Sequence, residues 1–150
     1  MNSDPWVICT ASVSPAHWQE VRSQIAEPQT DDQLLAWVQY VHDCRFFGKT
    51  IGDVIRMLPD DYPNSFCFIV DGQTFASDEH SIVVVSFLPE WDDNRGEFNW
   101  QSPRQILDDQ IKHFRAQPRA IQSIQNNLSL GNMDFEDFAN HLDGDGIYRS

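Results

Sequence analysis

A chain of 150 residues, 41% of them hydrophobic, is long enough to bury a core without disulfides or metals. Its 23 Asp and Glu outnumber its 10 Lys and Arg, giving a formal charge of -13 at pH 7. That balance disfavours direct contact with nucleic acid or anionic membrane surfaces and leaves a basic protein, a cation, or no particular partner, the acidity then serving only solubility.

Residues 6–11, Trp-Val-Ile-Cys-Thr-Ala, are apolar and β-branched and predict a first strand. Ser14 then precedes Pro15 as an N-cap precedes the first helical residue. Trp18, Val21 and Ile25 recur on one face, so a helix is expected to about Glu27, ended by Pro28. Thr30-Asp31-Asp32 reads as a loop or a second cap. Residues 36–42 fit a strand by their aromatic and β-branched content, and a helix from Asp31 to Cys44 by propensity; the strand is the preferred reading. Thr50 to Asp53 resembles a capping box and opens a short helix to Leu58, with Ile51, Val54, Ile55 and Leu58 inward. A turn-rich loop follows from Pro59 to Asn64.

Residues 65–70 and 81–88 are nearly continuous apolar runs, as expected of strands buried on both faces. The short link between them, Asp71 to His80, predicts antiparallel neighbours. Residues 89–102 break the pattern. Glu90, Asp92, Asp93 and Glu97 surround Trp91, Phe98 and Trp100 with one arginine and no helical or strand period, which predicts an exposed excursion. Ser102-Pro103 then opens an expected helix with Ile106, Leu107 and Ile111 on one face, and 112–117 read as a short strand. Pro118 starts another helix, with Ile121, Ile124 and Leu128 inward and Gly131 at its end. Asn132 or Asp134 caps a last helix carrying Phe135, Phe138, Ala139 and Leu142. The Asp143-Gly144-Asp145-Gly146 turn leads to a terminal strand, Ile147-Tyr148-Arg149. The expected fold class is α/β (α+β): a single mixed β-sheet with helices packed on it, one domain over residues 1–150.

No catalytic residue, metal ligand set or cofactor motif emerges. Cys9, Cys44 and Cys67 are odd in number, so no closed disulfide framework is expected. Asp143 to Gly146 echoes the start of a calcium loop, but position 5 is Ile147 and the Glu at position 12 is missing. Asp78-Glu79-His80 reads as a solvated turn rather than a metal site. Asp108 to Lys112 faintly echoes a carboxylate–lysine nuclease site, which i, i+4 pairing on a helix explains better. Cys44 and His42 would share the face of a strand, a suggestive pair for a thiol nucleophile, although Phe46 and Phe47 suggest apolar surroundings. With no basic, apolar leader and no apolar run of membrane length, a cytoplasmic location is expected.

Three segments look familiar: Phe66 to Asp71, Asp78 to His80 ahead of Val83 to Val85, and above all Asn126-Asn127-Leu128-Ser129-Leu130-Gly131-Asn132-Met133-Asp134-Phe135. They resemble an uncharacterised bacterial domain family that ends in such a block, followed by an acidic turn and an aromatic residue. The resemblance implies a bacterial origin and carries no activity or site residues. The Asn-rich block reads as helix capping in preference to a ligand site.

The functional expectation is an acidic protein-binding module. Its leading form is an immunity-type inhibitor that neutralises a basic protein, such as a toxin or a nucleic-acid-binding enzyme. Two acidic segments are the expected contact residues: Glu90, Trp91, Asp92, Asp93, Glu97, Phe98 and Trp100 in the first, and Asp134, Glu136, Asp137, Asp143 and Asp145 in the second. The alternatives are a small hydrolase with a spatially assembled Cys/His or Asp/His site, and a regulatory domain with no catalytic role.

Overall fold

The computed structural model describes residues 3–28 and 35–149. Eight strands form among these residues: β1 (Trp6–Cys9), β2 (Gln39–Val41), β3 (Phe66–Val70), β4 (Ile82–Ser86), β5 (Trp91–Asp92), β6 (Glu97–Phe98), β7 (Lys112–Ala116) and β8 (Ile147–Tyr148). Six of them make one mixed sheet in the order β2-β1-β3-β4-β7-β8, while β5 and β6 pair as a separate antiparallel hairpin. Neighbours β1 and β2, β1 and β3, and β7 and β8 run parallel. β4 is antiparallel to both β3 and β7. The fold class is α+β, as the sequence predicts, with the small hairpin as an addition.

The two continuous apolar runs, β3 and β4, are buried along their whole length because layers cover both faces of the sheet. Successive side chains alternate between those layers. Val7, Phe68, Val70 and Val84 face one side. There they meet Trp18, Val21 and Ile25 of helix α1 (Pro15–Ala26), Ile121 and Ile124 of α4 (Ile121–Leu130), and Phe138 of α5 (Phe135–Ala139). Ile8, Cys67, Ile69 and Val83 face the other side. They pack on Val54 and Ile55 of α2 (Ile51–Arg56), with Leu58, Phe46, Phe87 and Ile106.

Helix starts follow the side-chain caps. Ser14 Oγ accepts the His17 N–H at 3.3 Å, and Thr50 Oγ1 accepts the Asp53 N–H at 3.2 Å. Asp134 and Asp137 form a reciprocal capping box at the start of α5. Gly131 closes α4 with φ +71°, the left-handed conformation that favours glycine. Among the described residues, no helix is long and apolar enough to cross a membrane.

Four expectations need correction. The helix expected after Ser102-Pro103 does not form; two 3₁₀ turns, Pro103–Gln105 and Asp108–Gln110, take its place. Ile106 enters the core, whereas Leu107 is 63% exposed, so the three apolar residues do not share a stripe. Arg56 of α2 holds the segment by donating to the Ile106 carbonyl at 3.0 Å and to Asp108 at 2.9 Å, a tertiary tie that outweighs local propensity. It also replaces the Asp108–Lys112 helical pairing. Gly52 accommodates that tie, since a Cβ there would lie 2.1 Å from Asp108 Oδ1.

Second, β3 and β4 are the antiparallel neighbours that the link from Asp71 to His80 predicts, but the link is not a plain turn: it contains a further helix, α3 (Gly72–Ala76), started by a capping box between Asp71 and Thr74. Third, the 89–102 excursion has regular structure. Asp92 Oδ1 accepts the N–H groups of Asn94 at 2.9 Å and Arg95 at 3.2 Å, and Gly96 at φ +65° completes the turn between β5 and β6. Fourth, the strand reading of 36–42 holds only for the shorter β2, and the helical alternative fails where Gln39–Val41 pair with β1. Thr30-Asp31-Asp32 and the first residues of that alternative lie outside the described residues.

Candidate partner-binding cleft

At one end of the sheet lie the start of β3, the end of β4 and the start of β7, since Phe66 pairs with Ser86 and Ser86 with Lys112. Tyr62 braces this end. Its hydroxyl accepts the Trp6 N–H at 3.0 Å and donates to the Phe66 carbonyl at 2.8 Å. Burial pushes the Tyr62 phenol well above its usual range, so it stays protonated and able to donate. The β5–β6 hairpin and the chain leaving α4 form the two walls of a cleft of about 700 Å³ above it. That volume lies within the range of ligand-binding clefts.

The hairpin wall is aromatic. Trp91 and Phe98 meet edge to face at 5.0 Å between ring centroids, and Phe98 and Trp100 at 5.4 Å. Phe98 is half-buried and lines the cleft, but Trp91 is 53% exposed and Trp100 is 67% exposed. These tryptophans do not fold back onto the core. The opposite wall is the block on which the family resemblance rests, contributing Leu128, Ser129, Gly131, Met133, Asp134 and Phe135.

The asparagines of that block build the helix end. Asn126 Nδ2 donates to the carbonyls of Gln122 at 2.7 Å and Leu35 at 3.2 Å, and Asn127 Nδ2 to that of Ser123 at 2.8 Å. The Asn127 carbonyl accepts the Asn132 N–H at 3.1 Å.

Among the described residues, Asp60 and Asp134 are the acids that line the cleft, and no Lys, Arg or His lines it. Beyond Leu88 and Pro89 a second hollow of about 360 Å³ adjoins, lined by Glu90, Asp109, Asp134, Glu136 and Lys112 among others. Glu90 from the first acidic segment thus meets Asp134 and Glu136 from the second, although more than forty positions separate them in sequence.

The remaining acids divide sharply. Glu97 pairs with Arg95 at 2.6 Å, and Asp92 holds the hairpin turn. Among the described residues, the carboxylates of Glu90 and Asp93 have no hydrogen-bond or ion-pair partner. Asp137 is occupied in the α5 capping box. Asp143 and Asp145 lie toward the opposite end of the sheet, beside β8, whose Tyr148 pairs with Ala116. Arg149 binds Asp143 at 2.7 Å, Asp145 at 2.6 Å and Glu79 at 2.6 Å. Its hydrogen bonds hold the carboxyls of Glu79 and Asp145 below their usual range. Glu79 and His80 are therefore half-buried and engaged, with His80 Nδ1 at 3.0 Å from Gln24 Oε1, rather than parts of a freely solvated turn.

Two of the cysteines are buried in β1 and β3, where desolvation pushes the Cys9 and Cys67 thiols up and makes them poor nucleophiles. Cys44 is exposed at the start of a 3₁₀ turn. The His42 ring packs between Trp18 and Phe47, 5.3 Å from each. Among the described residues no hydrogen bond joins His42 to Cys44, and no group of three His, Cys, Asp or Glu side chains is placed to hold a metal ion.

A family model described as a domain of unknown function, DUF6924, matches residues 4–150, which include both walls of the cleft. The chain belongs to the DUF6924 family. This is an uncharacterised domain family, as the resemblance implied. No curated protein matches the chain.

The sequence missed the residues that complete the cleft, chiefly Tyr62, Leu88, Leu128 and Met133, and Asp109 of the adjoining hollow. Leu88 carried a signal: a large apolar residue beside Pro89 at the end of a buried strand, 45% exposed in the fold. The others are brought to the site by long-range contacts.

Proposed function

We propose that this member of the DUF6924 family is an acidic protein-binding module, an immunity-type inhibitor that neutralises a basic protein in the bacterial cytoplasm. A toxin or a nucleic-acid-binding enzyme is the class of target. One observation carries the reading: exposed Trp100 lines, and exposed Trp91 stacks in the same hairpin beside, a cleft that no basic side chain among the described residues lines, and Glu90 and Asp109, without partners among those residues, line the adjoining hollow. Aromatic anchors of this kind dominate the energy of protein interfaces. Surrounding charge steers the encounter and can raise association rates by 10-fold to about 1,000-fold at low ionic strength. A formal charge of -13 favours a cationic target throughout the approach.

The test is affinity capture from the native host at low and high salt, with the intact chain and a Trp91→Ala/Trp100→Ala variant as paired baits. Retention of a basic protein, weakened by salt and by the double substitution, is the expected result. Recovery of no specific partner at either salt, or of an acidic one, would remove the reading.

A further inference from the structure

The large aromatic cleft and the smaller acidic hollow are two compartments of one trough, because Leu88, Pro89, Asp134 and Phe135 line both. Their chemistries differ. The larger compartment offers Phe98, Trp100, Leu128 and Met133. The smaller has four carboxylates, Glu90, Asp109, Asp134 and Glu136, against one ammonium, Lys112. Lys112 Nζ sits 2.7 Å from Glu136 Oε1, so the hollow already seats one lysine head. Among the described residues the carboxylates of Glu90 and Asp109 have no hydrogen-bond or ion-pair partner, leaving negative charge uncompensated beside the apolar compartment.

The geometry points to a linear recognition element for this trough: a protein segment in which a bulky apolar side chain lies next to a Lys or Arg. The apolar side chain fills the aromatic compartment against Phe98 and Trp100. The cation of its neighbour reaches past Leu88 and Pro89 to Glu90 and Asp109. Buried aromatic contact would supply affinity, and the carboxylates would select against neutral and acidic segments. A second copy of this chain is a poor occupant. It carries the same charge of -13, and Arg45, Arg56, Arg95, Arg104, Arg115 and Arg149 are already ion-paired. The assignment deepens the reading above and rests on it.

Short random peptides displayed on phage, panned on the intact chain at low salt, test the proposal. The selected peptides are then titrated against the chain and two variants, Trp100→Ala and Glu90→Lys/Asp109→Lys. All three positions are exposed, and circular dichroism would check the fold of each variant. The expected consensus pairs a large apolar residue with an adjacent Lys or Arg, and each variant weakens binding at least about tenfold, the size of an interface anchor's loss. Selected peptides that are merely polybasic, and bind both variants as tightly as the parent, would overturn the trough assignment while leaving the acidic-binder reading intact. A consensus without basic residues would overturn both, and so would enrichment of none. Concentration-dependent dimerisation lost in Trp100→Ala would overturn the assignment in favour of self-association.

Discussion

The hairpin around 90–97 and the turn around 143–149 look alike in sequence, each a cluster of acids beside aromatic residues, yet they have opposite relations to cations. In the C-terminal turn a single arginine, Arg149, engages Asp143, Asp145 and Glu79, so all three carboxylates are held by one cation beside β8. In the hairpin, among the described residues, Arg95 pairs with Glu97 alone, and the carboxylates of Glu90 and Asp93 have no partner. A count of charges cannot separate the two regions. The placement of the cations does, and it marks the hairpin as the region with attraction to spare.

The largest expected effect tests the structural side of that contrast. Phe138 is fully buried on α5, between the capping acids and the C-terminal turn. Phe138→Ala is expected to cost about 3–5 kcal/mol of stability, read by chemical denaturation, as for other large-to-small core changes. Next comes Trp100→Ala. Its side chain is mostly exposed, so the fold should hold while partner affinity falls by about 2 kcal/mol, roughly 30-fold, in calorimetric titration.

A smaller effect is expected from pH. The Glu79 and Asp145 carboxyls are held below their usual range by Arg149, so their contribution is fully present above their unfolded values, which lie near 4. It is lost as pH falls through the lower folded values. The protection factors of the Ile147 and Tyr148 amides, exchange rates corrected for the intrinsic pH dependence, should therefore fall below about pH 4 in the parent. In Arg149→Ala they should already be lower at neutral pH, with a lower Tm and unchanged partner affinity. The smallest effect belongs to Asp93→Asn, which should slow association severalfold at low salt and leave dissociation unchanged.

Much of the fold was legible because its signals are local. Ser14, Thr50 and Asp134 announce helix starts through side chains that reach only three residues along the chain. The buried runs at β3 and β4 announce central strands by composition alone. The segment from Ser102 to Ile111 was misread because Arg56, about fifty positions away, decides its conformation. Helix α3 was hidden because Asp71-Gly72, a turn signal on its face, is also the start of a capping box. The hairpin's aromatic and acidic residues were legible as an anomaly. The cleft was not, since Tyr62, Leu88 and Met133 share it only through the sheet and the left-handed turn at Gly131.

The central claim is that the two acidic regions differ in function, and the salt dependence of association tests it most directly. Association rates with the captured basic partner would be measured across ionic strength by stopped flow for three proteins: the parent, Glu90→Gln/Asp93→Asn, and Asp143→Asn/Asp145→Asn. Neutralising the hairpin is expected to slow association at low salt and flatten its salt dependence, while neutralising the turn lowers Tm and leaves both rate and slope close to those of the parent. Equal slowing by the two variants, or a larger effect from the turn, would contradict the account.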